Sequence, residues 1–151
     1  MPLKIGTDIP SLAGATGWIG GEVKSADLLG NPALIHFWSI SCGLCSEQMP
    51  QLVAWRDQMA GQGLKVVGVH MPRSEADTDV AAVVQATIDY GLTQPVAIDN
   101  EHNVADAFAN QFVPAFYLFD REGHLRQFVA GEYGLKMMER ALERVFAASS
   151  E

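Results

Sequence analysis

The sequence predicts an α/β fold, a central mixed β-sheet covered by helices on both faces. Two patterns and one magnitude predict it. Short runs of β-branched, aromatic and aliphatic residues alternate with helix-like segments along most of the chain. A hairpin signal comes late, where two apolar runs flank the turn Asp120-Arg121-Glu122-Gly123. The 151 residues, 48 % of them hydrophobic, suit a single domain over residues 1–151 with a substantial core.

The elements follow in order. The first ~30 residues are Gly-rich, with strand-like pieces such as WIGGEVK. Ser25 is expected to cap a short turn that Gly30-Asn31-Pro32 ends. ALIHFWSIS is all but continuously apolar and reads as a buried central strand. From Cys42 the period changes: Cys45, Met49, Leu52, Val53 and Met59 fall on one helical stripe. Pro50 lies inside that helix and Gly61 and Gly63 end it. LKVVGVHMP is a second buried strand. ADTDVAAVVQATIDYGL reads as a helix stopped at Gly91, PVAIDN as a strand, and EHNVADAFANQF as a helix. VPAFYLFD and HLRQFVAG form the hairpin, and LKMMERALERVFAAS is a final amphipathic helix. That helix reads as a cover for the sheet, not as a heptad seam, so a monomer is expected.

Charge narrows the function classes. The formal net charge of −8 argues against nucleic acid and against an anionic membrane surface, both of which require clustered Lys and Arg. No apolar run approaches the ~18 residues of a membrane span. The opening MPLKIGTDIPSLAG has no apolar signal core, so a cytoplasmic protein is expected.

The chain has two cysteines, Cys42 and Cys45, separated by Gly43 and Leu44. A bridge this short constrains the unfolded chain little, so reactivity is the better reason to keep the pair. Cys42 follows a strand and opens a helix, where free N–H groups and the helix dipole favour an anion. The thiolate is the nucleophile. An ordinary cysteine is roughly 3 % thiolate at neutral pH, and a pKa near 7 makes it about half thiolate. Cys45 lies one turn on, more buried, placed to attack a mixed disulfide formed at Cys42. Zinc would need two more ligands. His36, His70, His102 and His124 are scattered and none has H-x3-5-H spacing, so no metal is expected. Val113-Pro114 precedes a strand and has two readings. It starts an edge strand, or the bond is cis, packs against the dithiol and exposes backbone that a substrate strand can pair with.

Phe37-Trp38, Cys42-Gly43-Leu44-Cys45, Pro50 five residues beyond the second cysteine, and Val113-Pro114 before a hairpin resemble the thioredoxin fold. The ~20-residue helical segment between LKVVGVH and PVAIDN resembles the insertion of the TlpA/ResA-like branch, beside the AhpC/TSA group. The resemblance covers nearly the whole chain. It implies a thioredoxin-like fold with an N-terminal strand or hairpin extension and a helical insertion in mid-domain. It further implies a nucleophile at Cys42, a resolving thiol at Cys45, a cis proline at Pro114 and a Trp38 that shields the dithiol. The redox-active Cys42–Cys45 disulfide then needs no cofactor. Disulfide-bearing proteins are the expected substrates, with a dithiol as electron donor.

The chain departs from the pattern at two places. His36 stands where thioredoxin buries an aspartate, and Gln48 stands where ResA-type proteins carry a glutamate, with Glu47 adjacent. His36 or Glu47 is therefore the expected proton relay, against plainer readings as a core histidine and a solvated helix-start residue. Gly43-Leu44 adds no cation beside the thiols, so a couple nearer thioredoxin's about −270 mV than DsbA's about −120 mV is expected. An apolar rim of Trp38, Ile40, Leu44, Met49 and Pro114 would suit extended polypeptide.

Three other functions fit less well. A peroxiredoxin-type peroxidase fits Ser39 but puts Ile35 where the motif wants proline. A Sco-type metal chaperone needs C-x3-C, and a pure binding module has no use for thiols at a helix start.

Overall fold

The computed structural model describes residues 3–149. Six strands form one mixed sheet: β1 (Gly17–Ile19), β2 (Ala33–Trp38), β3 (Lys65–His70), β4 (Val96–Ile98), β5 (Ala115–Phe119) and β6 (Leu125–Ala130). The spatial order is β1-β4-β3-β2-β5-β6. β2, β3 and β4 are parallel neighbours, whereas β1 against β4, β5 against β2 and β6 against β5 are antiparallel. The helices are α1 (Gly43–Met59), α2 (Val80–Asp89), α3 (Asn103–Ala107) and α4 (Leu135–Ser149).

The period of two along each strand sorts the core into two layers. Leu34, Trp38, Val66, Val96, Phe116 and Leu118 face one side, with Leu52 and Trp55 of α1, Val83 of α2 and Met138 and Leu142 of α4. Ile35, Phe37, Val67, Val69, Tyr117 and Phe119 face the other, with Val104 and Ala105 of α3 and Leu12 and Leu28 of the N-terminal segment. All six residues of β2 are buried, which is why it reads as a continuous apolar run and not as an alternation.

Some expectations shift by a residue or a role. The N-terminal extension contributes one edge strand, β1, and an isolated bridge from Asp8 to His124, with no hairpin among the described residues. Ser25 begins its short turn but does not cap it. Lys24 holds the cap position, and the Ser25 hydroxyl donates instead to the Pro10 carbonyl at 2.5 Å. On α1, Val53 and Met59 are half-buried, whereas Gln48 and Trp55 fill the interior. Helix α2 starts at Val80, because the Asp79 carboxylate caps it by accepting the Ala82 N–H at 3.3 Å; residues Glu75–Thr78 form a separate 3-10 turn. Pro50 sits inside α1, leaving the Ser46 carbonyl without its usual i+4 donor.

The site follows from this topology. In a sheet with parallel central strands, the loops leaving their C-terminal ends share one rim. Trp38 ends β2 directly beside His70, which ends β3. The turn that carries Cys42 leaves the first, and the crossover through residues 71–79 leaves the second.

Candidate active site

Cys42 occupies the N-cap of α1, in extended backbone (φ −94°, ψ 106°). Its Sγ accepts the Cys45 N–H at 3.0 Å, satisfying one of the orphan donors at the helix mouth. Its N–H donates to the Ser39 carbonyl at 3.2 Å, which closes the preceding turn. Cys42 and Cys45 are joined as a disulfide, with Cα atoms 5.2 Å apart. A sulfur that accepts a backbone N–H at the positive end of a helix is stabilised as an anion once the bond is reduced.

Both cysteines are more enclosed than the sequence suggests: Cys42 is 4 % exposed and Cys45 1 %. Asymmetry survives in their surroundings. Both belong to the buried cluster with Trp38, Met49 and Leu52, but Ser41 and Gly43, flanking Cys42, are exposed, whereas Leu44 and Ser46, flanking Cys45, are half-buried. Trp38 is fully buried in that cluster and meets His70 edge-on at 4.9 Å and Tyr90 at 6.3 Å. Of the expected rim, Trp38, Met49 and Pro114 are thus buried, and only Ile40 and Leu44 reach the surface. Phe112 and Tyr133, which sequence reasoning passed over, are exposed aromatics beside the Val113–Pro114 loop and the turn after β6. Those two loops are joined by the Gly131 N–H donating to the Pro114 carbonyl at 3.1 Å.

The Val113–Pro114 peptide bond is cis. Val113 is half-buried and packs against both core layers, including the one that holds the cysteines.

The expected proton relays are not brought to the sulfurs by any hydrogen bond. Glu47 is exposed, because a residue two positions past Cys45 points to the far side of the helix. His36 is fully buried and stacked on Phe116 at 4.6 Å, with both ring nitrogens lacking a partner among the described residues. Burial lowers its pKa to about 3, so the ring is neutral at ordinary pH and a weak base.

Gln48 takes the place at the site that Glu47 does not. It lies three residues past Cys45, on the same face, and is buried. Its Nε2 donates to the Gly131 carbonyl at 3.0 Å, while its Oε1 has no partner among the described residues. With the Gly131–Pro114 bond, this amide ties α1 to the proline loop. The helical stripe could have flagged it, since position 48 lies beside Met49 and Leu52 on the inward face.

The turn ahead of Cys42 is held from β3. The His70 Nε2 accepts the Ile40 N–H at 3.1 Å, which places the ring proton on Nδ1. Burial lowers the His70 pKa to about 4, partly countered by the charge of Asp77. No group of three or more His, Cys, Asp or Glu able to hold a metal ion occurs among the described residues. No described helix is long and apolar enough to cross a membrane.

Known proteins are similar to this chain in sequence and fold. Residues 5–128 match the AhpC/TSA family. The chain is 47 % identical over 146 residues to the thiol-disulfide oxidoreductase YkuV of Bacillus subtilis strain 168, covering 96 % of this chain and 98 % of that protein. It is 24 % identical over 143 residues to the thiol-disulfide oxidoreductase ResA of Bacillus anthracis, covering 95 % of this chain and 79 % of that one. The solution structure of a thioredoxin-like protein in the oxidized form superposes with a TM-score of 0.88 at 46 % identity, covering 97 % of this chain and 99 % of that chain.

Proposed function

The chain belongs to the AhpC/TSA family and is a thiol–disulfide oxidoreductase of thioredoxin-like fold, and from that premise we propose that Cys42 attacks protein disulfides and Cys45 resolves them. The observation that carries the assignment of roles is the Cys42 sulfur at the N-cap, accepting the Cys45 N–H.

The cycle balances in two steps. The Cys42 thiolate attacks one sulfur of the substrate disulfide; that bond breaks, and the second substrate sulfur leaves as a thiolate and takes a proton. Cys45 then loses its proton and attacks the Cys42 sulfur, expelling the remaining substrate thiolate. Two electrons have passed to the substrate, and the Cys42–Cys45 disulfide has formed. An external dithiol restores the reduced protein. Attack by Cys45 is intramolecular, so it is favoured over escape of the mixed disulfide.

Extended polypeptide carrying a disulfide is the proposed substrate. Val113 offers its backbone beside Pro114, and Phe112, Tyr133, Ile40 and Leu44 supply apolar surface around it. The uncharged Gly43-Leu44 pair supports a reducing couple, acting as a bacterial cytoplasmic reductant and as a monomer.

Insulin reduction by dithiothreitol tests the activity. Wild type should accelerate the turbidity rise, Cys42→Ser should match the uncatalysed rate, and Cys45→Ser should accumulate mixed disulfides with substrate. If Cys42→Ser keeps the catalysed rate, the assigned roles are wrong.

A further inference from the structure

The crossover between β3 and α2 is no part of the dithiol motif, yet it grips the turn that carries Cys42. Asp77 is 2 % exposed. Its Oδ2 accepts the Ser41 hydroxyl at 2.7 Å and the Arg73 backbone N–H at 2.9 Å. Ser41 is the residue before Cys42, and its hydroxyl also lies 3.4 Å from that of Ser39. With His70 accepting from Ile40, every residue from 39 to 41 is engaged.

Hydrogen bonding alone does not require an acid here. An asparagine oxygen could accept the same hydroxyl and the same amide. The carboxylate adds charge, and no neighbouring group cancels it. Its neighbours are His70, neutral at ordinary pH, the acidic residues Glu75 and Asp79, and Arg73, which meets it through the backbone and is exposed. His102 is turned to the Pro72 carbonyl at 2.8 Å. Among the described residues no ion pair forms on Asp77.

We propose that Asp77 is a positioning residue for the dithiol: acting through Ser41, its carboxylate fixes the turn that presents Cys42 and sets a negative charge beside it, making the couple more reducing than the helix mouth alone would. The proposal rests on the oxidoreductase reading and deepens it. The helix dipole and the Cys45 N–H stabilise the Cys42 thiolate, and the carboxylate opposes them. A disulfide carries no charge, so only the reduced form feels the repulsion. Raising the free energy of the reduced form makes it a better electron donor. At an effective dielectric near 20, like charges about 12 Å apart shift an ionisation roughly tenfold, and closer charges shift it more.

The test compares Asp77→Asn and Asp77→Glu with wild type in the full chain. Thiolate absorbance of the reduced protein against pH reads the Cys42 ionisation. Equilibration with dithiothreitol at a pH where Cys42 is ionised reads the couple, and thermal unfolding reads the fold. Asp77→Asn should titrate Cys42 at lower pH and shift the dithiothreitol equilibrium about tenfold toward the reduced protein. Asp77→Glu keeps the charge and should stay within about threefold of wild type. A folded Asp77→Asn with wild-type titration and equilibrium would overturn the proposal, leaving Asp77 a structural tie. Should Asp77→Asn fail to fold, Ser41→Ala decides: freeing the carboxylate from the turn should move both readouts the same way by a smaller factor, and unchanged readouts would overturn it. Failure of the underlying reading looks different, because wild type itself would then reduce no disulfide.

Discussion

At the scale of single residues, two neighbouring polar side chains of α1 point in opposite directions. Gln48 and Glu47 are adjacent, yet one is buried against the proline loop and the other is solvated. Helix geometry makes the difference: three residues from Cys45 is nearly one turn, and two is nearly half. Gln48 donates to Gly131 and leaves its own oxygen unpaired, so it can accept but cannot take a proton. Replacing it by glutamate exchanges a donor for a group that must be protonated to donate. Relative to wild type, Gln48→Glu should therefore be least destabilised below the ordinary glutamate value, near pH 4.3, and lose further stability as pH rises through its elevated folded-state value. A melting temperature that drops between pH 5 and pH 8 by more than wild type's would bear this out; equal drops would show that the pocket solvates the carboxylate. The sequence marked this position only as a departure from a family pattern. That its partner is Gly131, 83 residues away, is invisible without the fold.

Among the elements, α1 and the turn before it do the chemical work, and α4 closes the layer over them. The start of α4 is tightly drawn. A Cβ on Gly134 would come within 2.4 Å of the Val129 Cβ on β6. Gly134 also supplies the carbonyl that accepts the Met138 N–H at 3.0 Å. Gly134→Ala must push α4 away from β6, and overpacking of this kind costs roughly 1–3 kcal/mol. Urea unfolding should show a lower midpoint with an unchanged slope, and an unchanged midpoint would mean that the loop gives way freely. The order of the elements was legible throughout, because apolar period and turn residues act within a few positions. Boundaries were less so. Asp79 restarts the helix that a continuous pattern would have begun at Ala76, since its carboxylate caps only the residues on its C-terminal side.

Across the whole molecule, burial of two neutral histidines sets an acid limit. His36 and His70 have pKa values lowered to about 3 and about 4, with desolvation the main cause in each. Their unfolded value is near 6.5. Between those values the unfolded chain holds protons that the folded chain does not, so stability falls as pH drops from about 6.5 toward 4, by up to ~1.4 kcal/mol per unit for each ring. Burial raises the pKa of Asp99, which works in the opposite direction. Denaturant midpoints should fall from pH 7 to pH 4.5, and His36→Leu should flatten that slope; a midpoint that rises on acidification would show that other groups dominate. The sequence by itself determined the alternation of strand and helix and the placement of Cys42 at a strand-to-helix junction, because periodicity and capping are short-range. Only the tertiary structure decided that Gln48 reaches the proline loop, that Asp77 grips Ser41 across 36 residues, and that His36 stacks on Phe116 instead of meeting a thiol. Those outcomes depend on which strands become neighbours and which face each side chain takes, and no local pattern encodes either.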